Sequence, residues 1–287
     1  VSVSDFSATA TTSTVMDADQ SDLVTGNNGS IVLVAGGTVT LNDGTDADDM
    51  VVSANGTGSI LVDVNSGNLV VNSDIISGTG HITLKAATDV LLGSGSATGV
   101  DVQTSTAGTI SIDAEAGALT MAGTANVTAT NSSARLNAAT SVTLGNVTAA
   151  NVSVVSDTGA IINAAGSTKN VTATNLRLQA DDAMGDAARH LSTNVDTLTA
   201  VSTGTTTAGI YLTEDNAVTV DTVTVSVSDF SATATTGVVT DGNQSDLVAG
   251  NNGNIVLVSG GTITLHDGAK SAGVSVSANG SGNILIQ

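Results

Sequence analysis

Four aspartates crowd the run Asn42-Asp43-Gly44-Thr45-Asp46-Ala47-Asp48-Asp49. Closely spaced carboxylates and carbonyls are what calcium recruits, at roughly six to eight oxygens per ion. The spacing is neither that of the helix–loop–helix calcium loop nor that of the glycine-rich nonapeptide that binds calcium between stacked strands. A second version of the run, His266-Asp267-Gly268-Ala269-Lys270-Ser271-Ala272-Gly273, keeps one acid and loses three. A calcium site required by every copy would keep them. Asp43, Asp46, Asp48 and Asp49 are thus the chain's calcium candidates. A solvated loop is the expected role of the run, and no other metal or cofactor is implied.

Nucleophilic and general acid–base chemistry has less to work with. His81, His190 and His266 lie far apart without metal-ligand spacing, and alternation turns His81 outward. Serines and aspartates abound, but no Gly-x-Ser-x-Gly elbow leads into a helix. Gly93-Ser-Gly95-Ser-Ala-Thr-Gly99 has the wrong spacing for a dinucleotide loop and reads as a turn. Carbohydrate-active enzymes need paired carboxylates or a basic residue in a groove, and aromatics on which sugars stack. Here Lys and Arg total 6, and the aromatics are Phe6, Tyr211 and Phe230. No catalytic residue and no enzymatic activity is expected. A carbohydrate-active enzyme and a calcium-dependent binding module are the alternatives.

The repeated Thr-x-Thr triplets, Thr38/Thr40, Thr128/Thr130, Thr172/Thr174 and Thr262/Thr264, fall at irregular intervals. A flat ice-binding rank is therefore not expected. Phe6 and Phe230 occupy equivalent places in two copies of one segment, and a buried plug is their expected role.

What must position these residues is narrow. The chain of 287 residues has no Trp, Cys or Pro, and its apolar residues are small or β-branched. Such side chains fill only a thin core. Proline lacks an N–H and is excluded from strands bonded on both sides, so its absence fits strands that each have two neighbours. The formal net charge of −20 disfavours nucleic acid, whose phosphates require clustered Lys and Arg, and anionic membrane surfaces. No apolar stretch reaches the roughly 18 residues of a membrane helix, so no membrane insertion is expected. Val1 opens within a strand-like pattern, so any export signal is expected outside this stretch.

The strongest organising feature is an internal duplication. Residues 1–12 recur unchanged as 225–236, and the match continues without a gap to Gln287. Ile31-Val-Leu-Val34 returns as Ile255 to Val258, and Ser53-Ala-Asn-Gly56 as Ser277 to Gly280, a period of 224. Residues 1–224 form one complete unit and 225–287 the start of the next, with no linker. Adjacent units of the same chain are the implied partners.

Inside the unit runs a shorter rhythm. Ile60/Val62 and Leu69/Val71, Ile82/Leu84 and Val90/Leu92, Ile110/Ile112 and Leu119/Met121 are pairs of short alternating runs. Looser runs lie between them at Val51-Val52, Val100/Val102, Val127/Ala129, Val171/Ala173 and Val274/Val276. Three short strands in roughly 22–29 residues are the signature of a parallel β-helix. The expected fold is all-β, a right-handed parallel β-solenoid of roughly ten coils, on the order of 50 Å long at the inter-strand spacing. Residues 7–24 and 231–248 interrupt the rhythm as lateral excursions, and 180–198 as a single helical turn.

Gly29-Ser-Ile-Val-Leu-Val-Ala-Gly-Gly-Thr-Val-Thr-Leu41 and Gly253-Asn-Ile-Val-Leu-Val-Ser-Gly-Gly-Thr-Ile-Thr-Leu265 resemble the coil motif of giant bacterial exoproteins of the filamentous haemagglutinin type. The segment running from Met184 to Leu198 and on to Glu214 is similar to repeats in large members of that group. The resemblance implies a right-handed β-helix, secreted or held at the bacterial outer membrane surface. It also implies a stalk or adhesive filament that meets a receptor, a glycan or a partner cell.

Overall fold

The computed structural model describes residues 2–6, 12–16, 20–46, 48–95, 99–204, 208–269 and 273–287. Every regular element among them is a strand. A 19-stranded sheet and a 6-stranded sheet carry parallel pairings, and two antiparallel hairpins form two-stranded sheets of their own. Alternation explains the division of labour. In Ile82–Ala86 and Ile110–Ala114, Ile82 and Leu84, Ile110 and Ile112 point to one face, and each strand is too short to fold alone.

Register turns these faces into continuous aliphatic ranks. Ile31 pairs with Ile60, Ile60 with Ile82, Ile82 with Ile110, Ile110 with Ala134, Ala134 with Val152 and Val152 with Leu176. The steps are 29, 22, 28, 24, 18 and 24 residues, so the spacing extends below the expected range. A rank on the short sheet runs Val39, Leu69, Val90, Leu119, Val142, Ile161. A third runs Val52, Ile75, Val102, Val127, Val147, Val171, and these are strands formed by the looser runs of the sequence. Nearly all of these side chains are fully buried in one continuous core. Burial of a Val, Leu or Ile contributes about 1.5–3 kcal/mol. We call each set of strands stacked on the next a tier.

Corners repeat as faithfully as ranks. Asn28 and Asn252 adopt φ of 65° and 62°, and their side-chain oxygens accept the N–H of Thr57 (2.9 Å) and Ser281 (2.8 Å) on the next tier. A Cβ at Gly56 or Gly280 would lie 2.1 or 2.4 Å from those oxygens. Glycine at 56 and 280 is therefore demanded by the preceding tier.

Three expectations need correction. The helical turn at 180–198 is absent: Met184 forms single bridges to Ile161 and Ile210, and Leu191–Ser202 is a strand. Asp186 diverts the chain, its carboxylate accepting the N–H groups of Ala188 (2.7 Å) and Arg189 (2.8 Å). Adjacent short runs also fuse, as in Asn126–Ala138, which bends at Asn131 with φ of 58°. Finally, the excursion at 231–248 is part of a hairpin, Val223–Phe230 with Thr236–Gln244, that begins eight residues earlier. Its counterpart pairs Ser2–Phe6 with Thr12–Met16 in the same register. Residues 7–11 and 17–19 of the first excursion, and the Phe6 side chain, lie outside the described set.

Candidate functional site

The acidic loop forms a corner between tiers. Ser21 and Asp22 precede the strand Leu23–Thr25, and the loop after Val39–Leu41 returns to them. Carboxylate oxygens of Asp22, Asp46 and Asp48 lie within 4.8 Å of one another. The Ser21 hydroxyl donates to Asp46 at 2.7 Å, and the Met50 N–H to Asp48 at 3.0 Å. One Asp22 oxygen is shielded from solvent without a hydrogen-bond partner. Desolvation raises the Asp22 pKa above the usual carboxylate value, and the charges of Asp46 and Asp48 add to the rise. The Ser21 bond lowers that of Asp46. Three carboxylates so placed offer oxygens to a hard cation, and Asp46 and Asp48 face solvent.

Of the four candidates from the sequence, the structure brings together Asp46 and Asp48. Asp43 and Asp49 stand outside the trio. The Asp49 carbonyl accepts the Ser73 hydroxyl and the Asp74 N–H (2.7 Å) of the next tier. Asp22 is the member that loop spacing missed. Its signal was the recurrence of Ser21-Asp-Leu-Val24 as Ser245-Asp-Leu-Val248. Both aspartates have positive φ, 57° and 74°.

The second corner differs. Asp246 is only 1% exposed, and its carboxylate accepts the Ser245 hydroxyl at 2.8 Å. Asp267 accepts the Gly273 N–H at 2.8 Å. The residues replacing Asp46 and Asp48 are Lys270 and Ala272, which lie outside the described set. What both corners keep is contact geometry. A Cβ at Gly44 would fall 2.1 Å from the Ser21 Cβ, and one at Gly268 the same distance from that of Ser245. The repeated glycine is thus explained by packing.

A second constellation is cationic and lies on the outer face of the long sheet. Thr83, Ser111, Arg135, Ser153, Arg177 and Thr199 form one rank across successive strands. Outward-facing residues are ordinarily wet. Here Thr83, Ser111, Ser153, Arg177 and Thr199 are buried, because the second hairpin lies across them. At its tip, the Phe230 N–H donates to Thr83 at 2.8 Å, and Lys85 pairs with Asp229 at 2.8 Å. Ser228 exchanges bonds with the Thr109 hydroxyl, donating at 2.9 Å and accepting at 3.1 Å. Arg135 reaches Asp241 at 3.1 Å, and Arg177 the Gly242 carbonyl at 3.3 Å. At the base, the Gln244 amide donates to the Leu178 carbonyl at 2.7 Å.

Electrostatics follow from this covering. Burial opposes the charge on Lys85, yet the bond and charge of Asp229 hold its pKa above the ordinary value. Burial lowers that of Arg177, against the pull of Asp241. Phe230 is 5% exposed, in keeping with a plug.

The histidines serve separate corners. His81 meets Thr109 at 3.1 Å, His190 meets Thr213 at 2.9 Å, and His266 meets Asp221 at 2.9 Å. Buried Glu214 accepts the Thr193 hydroxyl at 2.7 Å and the Val195 N–H at 3.1 Å, so its hydrogen bonds tie two tiers together. The threonines stack more than their spacing suggested: Thr128, Thr148 and Thr172 share one rank.

No family model matches the chain, and no curated protein or solved structure matches it.

Proposed function

We propose that this chain is a segment of a structural rod, part of a giant repetitive bacterial protein of the filamentous haemagglutinin type, secreted or held at the outer membrane surface. In this reading the parallel ladders wind as a right-handed β-helix of roughly ten coils. Residues 1–224 are one unit, and 225–287 continue it without a linker. The rod performs no catalysis and holds no resident cofactor. Its work is reach: it displays an acidic surface at a distance and mediates adhesion or cell–cell contact through a receptor, a glycan or a partner cell.

The observation that carries this reading is the unbroken rank from Ile31 through Ile110 to Leu176, fully paired along its length. Each added tier buries the aliphatic face of the last, so such a ladder gains stability by lengthening. The chain's polar groups are spent on joining tiers, as with Asn28, Glu214 and the cationic rank.

Immunogold electron microscopy of intact source cells, with antibodies against this segment, tests the reading. Label on surface fibres or at cell junctions is expected. Label confined to the cytoplasm would overturn it.

A further inference from the structure

The two hairpins share register as well as sequence. Ser2 pairs with Met16, Val3 with Val15 and Phe6 with Thr12. Ser226 pairs with Thr240, Val227 with Val239 and Phe230 with Thr236, each shifted by the 224 period.

The residues that make the contact are kept. Asp229, Phe230, Asp241 and Gln244 engage the flank, and all four recur, as Asp5, Phe6, Asp17 and Gln20. The differences fall at exposed positions: Gly237, Val238 (73% exposed) and Thr240 stand where the sequence of the first copy has Ser13, Thr14 and Met16.

We infer that the first hairpin is a latch for another copy of this unit. It docks on that copy's flank as the second hairpin docks here; in sequence Asp5, Phe6 and Asp17 are the counterparts of Asp229, Phe230 and Asp241. The partner is defined by chemistry: a sheet face with Arg135 and Arg177 in one rank among small hydroxyl residues, and Lys85 two positions along the strand from that rank. In a rod, each unit would then be pinned to its predecessor by the ladder and by a strap laid over several tiers. The biological setting rests on the rod reading, but the contact does not.

The chain has no cysteine, so introduced thiols report without background. An acceptor chain carries Lys85→Asp, Arg135→Asp and Thr109→Cys, which repels its own hairpin. One donor chain carries Ser4→Cys with Asp5→Lys and Asp17→Lys; a second carries Ser4→Cys alone. Ser4 is the counterpart of Ser228, which bonds Thr109. With a short bis-maleimide, the charge-reversed donor is expected to yield at least tenfold more donor–acceptor dimer than the plain donor. A control chain with Thr109→Cys and Ser228→Cys cross-links internally. Should the reversed flank fail to fold, an acceptor with Asp229→Lys, Asp241→Lys and Thr109→Cys, paired with the plain donor, asks the same question. Equal yields from both donors, or no dimer while the control cross-links, would overturn the inference. Either result would leave the surface-labelling test of the rod untouched.

Discussion

The Nε of Arg135 donates to both carboxylate oxygens of Asp241 at 3.1 Å, joining a strand of the first unit to a hairpin of the second. Both side chains are about 12% exposed. A short-range ladder thus carries a long-range fastener. The aliphatic ranks connect each tier only to its neighbours. The Asp241 hairpin reaches from Thr83 to Leu178, and so couples tiers that the ladder alone leaves nearly independent.

Removing one partner of a mostly buried pair leaves a charge without compensation, at a cost on the order of 3 kcal/mol. Asp241→Asn is expected to release the hairpin without melting the ranks. Hydrogen exchange at Val225 and Val227 would accelerate roughly a hundredfold by that arithmetic, while Ile110 and Leu136 keep their protection. The double variant Arg135→Met with Asp241→Leu, which removes both charges, should restore most of the protection. Equal loss of protection in hairpin and ranks would mean that the hairpin is part of the core rather than a fastener.

How much of this could be read beforehand depended on the range of the signal. The strands were legible because Ile60/Val62, Ile82/Leu84 and Ile110/Ile112 alternate, and these inward positions are buried; the intervening Leu61, Thr83 and Ser111 are buried as well, which alternation did not foretell. The duplication placed the hairpins in equivalent positions. Their docking was not legible, because Lys85 and Asp229 are joined only by the return of the chain over its own flank. Loop spacing found Asp46 and Asp48 but missed Asp22, which belongs to another segment. The expected helical turn at 180–198 gave way to the Asp186 turn and to pairing of Leu191–Ser202 with its neighbours.

His81 gives the hairpin contact a pH dependence. Its Nδ1 accepts the Thr109 N–H at 3.1 Å, which requires the neutral ring, and burial lowers its pKa from the model-compound value of 6.5. The unfolded chain therefore takes up the proton first as pH falls. Stability from the neutral ring is fully present above about pH 6.5 and is lost as pH falls through the lowered folded value. Asp74 works in the opposite sense, since desolvation raises its pKa and favours the folded state at low pH. The measurement is thus a difference: the melting temperature of the wild type minus that of His81→Asn, from pH 7.5 to 5. It should shrink as pH falls. A difference that is flat or grows would reject the role given to His81.

The scarcity and engagement of basic residues predict a simple digestion pattern. Lys85, Arg135, Lys169 and Arg177 are held in ion pairs or buried within strands or their edges. Arg189 is exposed on the turn closed by Asp186. Among the described residues, trypsin should cut first after Arg189, because cleavage requires a segment that opens locally. Mass spectrometry of a brief digest would show that cut well before any at Arg135 or Arg177. Early cleavage at Arg177 would show instead that the hairpin opens readily.

Removal of divalent cations tests the acidic corner. Asp22, Asp46 and Asp48 repel one another, so a bound cation would relieve the repulsion and stabilise this tier by mass action. The second corner has Lys270 and Ala272 in place of Asp46 and Asp48, and the aliphatic ranks draw no support from either loop. If the ladder carries the stability, the melting temperature in excess EGTA should match that in millimolar calcium to within about a degree, since about 1 kcal/mol moves a domain of this size by roughly 2–4 °C. A rise of several degrees in calcium, abolished by Asp46→Asn with Asp48→Asn, would instead make the corner a calcium site. The rod would then carry a cation-dependent joint in one unit that its neighbour lacks.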